Sequence, residues 1–152
     1  MTLDDIVNLV GSFDCTVAQR PREGDGTPEL AWGDVFFYYS PDGTIPTTQP
    51  FATIVTKNYP GDELSQLHRA NAFRVNVVAG KQEFEEILGT VPRDAAHAPQ
   101  ADTDDVMAAH PQYGTAGWLS VVNPSSRTET QIRALLESAY DVAKSRYERR
   151  HS

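Results

Sequence analysis

The chain holds 152 residues with 13 Lys and Arg against 21 Asp and Glu, a formal net charge of −8, and a hydrophobic fraction of 39%. That composition excludes a wholly disordered chain, whose apolar content would be too low to offset the entropy of ordering. The negative charge opposes general nucleic-acid binding, which rests on Lys and Arg neutralising phosphates.

Thr2 suits the N-cap of a first helix, with Asp4 and Asp5 at its positive end. Leu3, Ile6, Val7 and Val10 repeat at helical spacing and Gly11 suits the stop. Cys15 is the only cysteine; it has no CxxC partner and no adjacent base, so it reads as a buried structural thiol. Residues 14–20 read as a short strand, and residues 21–30, rich in Pro and Gly, as a loop. Residues 32–40 form the clearest strand, with large apolar groups on both faces, so both faces are expected to be covered at least in part. Pro41-Asp42-Gly43 signals a turn. Residues 51–57, dominated by β-branched Thr53, Ile54, Val55 and Thr56, make the next strand, and Asn58-Tyr59-Pro60-Gly61 turns again. Residues 72–78 alternate: Phe73, Val75 and Val77 point one way, Arg74 and Asn76 the other.

Residues 81–88 predict a short helix with Phe84, Ile87 and Leu88 inward and Gly89 at its end. Residues 90–103, interrupted by Pro92 and Pro99, read as a loop. Between Gln82 and Asp105 stand seven acids and one base. Asp102, Asp104 and Asp105 lack the spacing of a calcium loop and read as the first turn of a short helix capped by Thr103. Residues 117–123 are a last strand ended by Pro124. A long amphipathic helix over 128–149 follows, with Ile132, Leu135, Leu136, Ala139, Tyr140, Ala143 and Tyr147 in one stripe and basic residues at its C-terminal end. No apolar run approaches the roughly 20 residues needed to span a bilayer, and the N-terminus carries acids where a signal peptide carries bases. A single soluble, cytoplasmic domain over residues 1–152 is expected, with no membrane contact.

No GxGxxG, GxxxxGK[ST], HExxH or GxSxG motif occurs, which argues against a nucleotide-cradling loop, a zincin or a serine hydrolase. His68, His97, His110 and His151 show no metal-ligand spacing, so no metal and no cofactor is expected. Three groups carry chemical potential. Arg74 and Asn76 leave one strand face together; a guanidinium there needs a carboxylate or a ligand, and Asp34 is the partner the pattern suggests. His110-Pro111-Gln112-Tyr113-Gly114, with Trp118, places an imidazole, a phenol and an indole in a rigid loop before a strand. The plainer reading packs Tyr113 and Trp118 under the terminal helix and bonds His110 to a backbone carbonyl. Trp32, Asp34, Phe36 and Tyr38 share a strand face, where the acid either pairs with Arg74 or lines a cleft with it.

The segment Trp32-Gly33-Asp34-Val35-Phe36-Phe37-Tyr38-Tyr39-Ser40-Pro41-Asp42-Gly43 resembles the opening strand of a bacterial family of uncharacterised domains of about this length. Pro50 to Lys57, Phe73-Arg74-Val75-Asn76 and His110-Pro111-Gln112-Tyr113-Gly114 with Trp118 extend the match over nearly the whole chain. More distantly, Gly117-Trp118 and Ser138-Ala139-Tyr140 make the plan similar to the MmcQ/YjbR-like proteins. That resemblance implies an α+β fold with helices backing an antiparallel sheet, and a DNA-binding role from which this chain departs through its charge. The closer family implies no activity.

The combined expectation is an α+β fold: a single antiparallel sheet of about five strands backed by N-terminal, middle and long C-terminal helices. A cleft lined by Asp34, Arg74, Asn76, His110, Tyr113 and Trp118 would bind a small anionic or planar polar molecule; the residues name no reaction. The alternative is a non-catalytic protein-interaction module using the sheet face or the acidic 82–105 region. Nucleic-acid binding through the basic end of the last helix ranks third.

Overall fold

The computed structural model describes residues 1–152. Three helices pack on one face of a six-stranded sheet: α1 (Leu3–Gly11), β1 (Thr16–Gln19), β2 (Val35–Tyr39), β3 (Ala52–Val55), β4 (Arg74–Val78), α2 (Lys81–Leu88), β5 (Ala108–Ala109), β6 (Trp118–Val122) and α3 (Glu129–Arg150). The strand order is β1-β2-β3-β4-β6-β5, and every neighbouring pair is antiparallel. The fold is α+β, as the alternation of strands and loops predicted. The sixth strand is the two-residue β5, whose paired alanines carry no alternation that a sequence pattern could register.

Thr2 and Asp5 form a reciprocal capping box at the start of α1: the Thr2 hydroxyl accepts from the Asp5 N–H at 3.1 Å and the Asp5 carboxylate accepts from the Thr2 N–H at 2.8 Å. Gly11 is the last helical residue rather than the stop; Ser12, still right-handed, closes the helix. The left-handed turn comes at Cys15, with φ of 62°. Cys15 is exposed there, contrary to the expected buried thiol, because the turn into β1 carries its side chain outward.

The helix-facing side of the sheet is apolar. Val35 and Phe37 of β2, Ile54 of β3, Val75 and Val77 of β4, and Leu119 and Val121 of β6 are buried there with Ile6, Val10, Phe84 and the α3 stripe Ile132, Leu135, Leu136, Ala139 and Tyr140. At this face the tyrosines stack edge-on: Tyr39 lies 5.8 Å from Tyr140 and 5.3 Å from Tyr147.

The opposite face is mixed. Cross-strand register sets Phe36, Thr53, Asn76 and Ser120 in one row, and Val55, Arg74 and Val122 in the next. A second, smaller core of Leu67, Ala72, Ala101, Ala108 and Val122 covers part of this face beneath the loops. The remainder forms an open cleft. Asp102, Asp104 and Asp105 do not open a helix, as the acid-rich pattern had suggested. Asp104 pairs with Arg69 at 3.0 Å. Asp105, with φ of 58°, accepts from the N–H groups of Ser125, Arg127 and Thr128 and from the Thr128 hydroxyl, so it organises the approach to α3. No helix is long and apolar enough to cross a membrane.

Candidate functional site

The strand pairing β4–β6 brings the Arg74 face and the loop before Trp118 together. A cleft of about 600 Å³ opens on this face, and Arg74, Asn76, His110, Tyr113 and Trp118 all line it. Phe36, Val55 and Pro50 supply apolar walls, and Leu30 and Ala31, in a 3₁₀ turn, part of the rim.

Arg74 is 1% exposed and Asp62 7% exposed. Their pairing is bidentate: Nη1 donates to Asp62 Oδ1 at 2.9 Å and Nη2 to Oδ2 at 2.7 Å. Nη1 also donates to Ser65 Oγ at 3.1 Å, and Nε to Asn76 Oδ1 at 2.8 Å. The same Asn76 oxygen accepts from the Ser120 hydroxyl at 2.7 Å, while Asn76 Nδ2 donates to Thr53 Oγ1 at 3.0 Å. A polar row across three strands is thereby satisfied, which is what a buried guanidinium requires. Burial pushes the Asp62 carboxyl up, but the hydrogen bonds and charge of Arg74 together outweigh it and hold its pKa below the ordinary 3.8.

The carboxylate that meets Arg74 is therefore Asp62 and not Asp34. Asp34 lies outside the cleft. Its side chain is fully buried and accepts from Thr56 N–H, Thr56 Oγ1, Lys57 Nζ at 3.1 Å and the Tyr59 hydroxyl. Asp34 sits just before β2, after Gly33 with φ of 89°, and its carboxylate is taken up by residues 56–59 instead of by Arg74. Asp34 contributes at one remove: it anchors Tyr59, whose ring forms part of the cleft wall. Nothing in the sequence singled out Asp62 among the acids; only its position after the Pro60-Gly61 turn, on a loop reaching the Arg74 face, could have suggested it.

His110 is 8% exposed. Its Nδ1 accepts from the backbone N–H groups of Gln112 and Tyr113, both at 3.0 Å, so the ring bonds backbone donors rather than the carbonyl of the plainer reading. Tyr113, 56% exposed, stands at the rim, and Trp118 faces the cleft; neither packs under the terminal helix. Their ring centroids lie 4.9 and 6.4 Å from that of His110. Gln112 Nε2 donates to Gly61 O at 3.3 Å, linking the His110 loop to the Asp62 loop. Gly117, with φ of 89°, lets the loop re-enter β6 against the backbone of Gly80, where a Cβ would come within 3.2 Å. No group of three His, Cys, Asp or Glu side chains gathers within metal-holding range.

Burial first, and the Arg74 charge second, lower the His110 pKa from 6.5 to about 4, with Asp62 pulling the other way. The ring is thus neutral in the fold, while in the unfolded chain it gains a proton near 6.5. Between those values the unfolded state binds more protons, so stability falls as pH drops from 6.5 to 4. The loss is roughly 3 kcal/mol, at about 1.4 kcal/mol per pH unit. We expect His110→Phe to flatten this part of the profile, read from urea midpoints at pH 7, 5.5 and 4.5. Parallel profiles for the variant and the wild type would remove His110 as their source.

The molecule is thus an α+β domain with one sheet face packed by helices and the other carrying a buried arginine–aspartate pair beside a neutral histidine in an open cleft. A model described as a family of unknown function, DUF6194, matches residues 1–152, and the chain belongs to that family. No curated protein and no solved structure matches it.

Proposed function

We propose that the cleft binds a small planar polar or anionic molecule. The supporting observation is the convergence of Arg74, Asn76, His110, Tyr113 and Trp118 on one concave site of about 600 Å³, a size and mixture of apolar walls with a few aimed polar groups that suit small-molecule sites. The aromatic side chains would sandwich a flat ligand, and the polar row at the base would orient it. Exposed Leu30 and Tyr113 on the rim favour, as the second reading, a protein partner seated on the same face. The DNA-binding role attached to the MmcQ/YjbR-like resemblance is disfavoured by the charge of −8 and by the neutralisation of Arg74.

A fragment screen followed by amide-shift mapping tests the proposal. Hits are expected to shift residues of β4, β6 and the 110–116 loop. Tyr113→Ala should weaken them about two- to tenfold, the range of one aromatic contact, with little change in the melting temperature because Tyr113 is exposed. Hits mapping mainly to other surfaces, or indifferent to Tyr113, would overturn the reading.

A further inference from the structure

Resting on the reading of this cleft as a small-molecule site, we infer that Arg74 and His110 jointly hold one carbonyl oxygen of an uncharged, flat ligand, such as a cyclic amide fused to an aromatic ring. A guanidinium carries five N–H groups. Arg74 Nε donates to Asn76, Nη1 to Asp62 and Ser65, and Nη2 once to Asp62. Four donors are engaged, and the fifth, on Nη2, lies on the side of His110 Nε2, 3.5 Å away.

His110 cannot accept it. Two backbone N–H groups already point at Nδ1, which fixes that nitrogen as the acceptor and places the ring proton on Nε2. The Nη2···Nε2 approach therefore sets two donors side by side. Both side chains are more than nine-tenths buried, where a donor without an acceptor is costly, and both border the cleft. A single oxygen about 2.9 Å from each nitrogen spans the 3.5 Å base at ordinary hydrogen-bond lengths once the two N–H groups turn from each other toward the cleft.

Charge selects the kind of oxygen. Asp62 neutralises Arg74 through two hydrogen bonds, and His110 is uncharged near neutral pH because burial lowers its pKa to about 4. Lys57 is bound to Asp34, outside the cleft. A carboxylate here would add an uncompensated charge close to Asp62, whereas a carbonyl oxygen satisfies both donors without one. Flatness follows from the Tyr113 and Trp118 rings flanking the imidazole.

Three soluble bicyclic probes separate the possibilities in an NMR titration of the full chain labelled with ¹⁵N: quinolin-2-one, which is a neutral lactam; quinoline-2-carboxylate, which is an anion; and indole, which offers no oxygen. Quinolin-2-one is expected to bind about tenfold or more tightly than either of the others, the effect of one well-made polar contact. It should also shift the His110 Nε2–H signal and slow its exchange with water. Tyr113→Ala should weaken all three probes together and leave their ranking unchanged. His110→Phe, which keeps a ring but removes one of the two donors, should cut the preference for the lactam.

If indole moves the cleft signals as strongly as quinolin-2-one, the cleft binds flat molecules but the donor pair does not choose them. If the carboxylate binds tightest, the neutral-carbonyl assignment fails and an anion site stands. If no probe perturbs the cleft at millimolar concentration, this inference and the small-molecule reading fail together. Should His110→Phe not fold, the ranking on the wild-type protein still decides.

Discussion

Replacing Asp62 with Ala is expected to destabilise the fold by about 3–5 kcal/mol, the scale for stripping one partner from a buried ion pair. Arg74 is 1% exposed, so removing the carboxylate leaves a largely desolvated charge with Ser65 and Asn76 as its remaining side-chain acceptors. Urea unfolding at pH 7 measures the loss. The double variant Asp62→Leu with Arg74→Met should recover much of it, because a matched apolar pair replaces a pair whose desolvation cost offsets most of its attraction. An Asp62→Ala variant within 1 kcal/mol of wild type, well under that roughly 3–5 kcal/mol scale, would show that water reaches Arg74 after all. The pH dependence has a definite sign. The folded Asp62 pKa lies below 3.8, so its contribution is fully present above that value and is lost as pH falls through the lower, folded one. Acid should therefore remove stability in two stages: first the His110 contribution between 6.5 and about 4, then that of Asp62 below 3.8.

Leu135→Ala should cost about 2–5 kcal/mol, the transfer of a leucine side chain plus the cavity it leaves. Leu135 is 2% exposed at the centre of the α3 stripe, in one cluster with Val35, Val75 and Val121 of the sheet. Three strands meet that cluster, so local collapse cannot readily fill the space. Val142, 44% exposed on the outer face of the same helix, provides the control: Val142→Ala should change stability by no more than about 0.5 kcal/mol. Equal urea midpoints for Leu135→Ala and wild type would mean that α3 is not the element that closes the core.

The two results bear on function through the cleft. Because Arg74 is held by Asp62, its removal is expected to weaken the whole fold, and lost binding in such a variant would carry no information about ligand contact. The exposed Tyr113 and the donor-free His110→Phe ring are the changes that address binding, since each leaves the Arg74–Asp62 pair in place.

Much of the architecture was legible in the sequence because local chemistry specifies it. Alternation of Phe73, Val75 and Val77 with Arg74 and Asn76 assigned β4 and both of its faces, since strand side chains must alternate. Thr2 with Asp5 marked the first helix start, Gly89 the end of α2, and the Ile132-to-Tyr140 stripe the buried side of α3. The chain also showed that Arg74 needed a carboxylate or a ligand, and it named the loop of His110, Tyr113 and Trp118. Partner choice was a different matter. Asp34 and Asp62 are equally acidic in sequence, but the left-handed turn at Gly33 places Asp34 ahead of β2, against Thr56, Lys57 and Tyr59. The turn at Gly61 delivers Asp62 to the guanidinium. The Cys15 turn likewise sent an apolar thiol outward, and Asp105 was used to gather backbone donors before α3 rather than to begin a helix. These outcomes depend on where loops lie after strands have paired, and loop paths are set by long-range contacts instead of by their own periodicity. The donor pair at the base of the cleft is the furthest such case: only the tertiary structure brings Nη2 of Arg74 to Nε2 of His110, after Asp62, Ser65 and Asn76 have taken the other four Arg74 donors and two backbone N–H groups have taken His110 Nδ1.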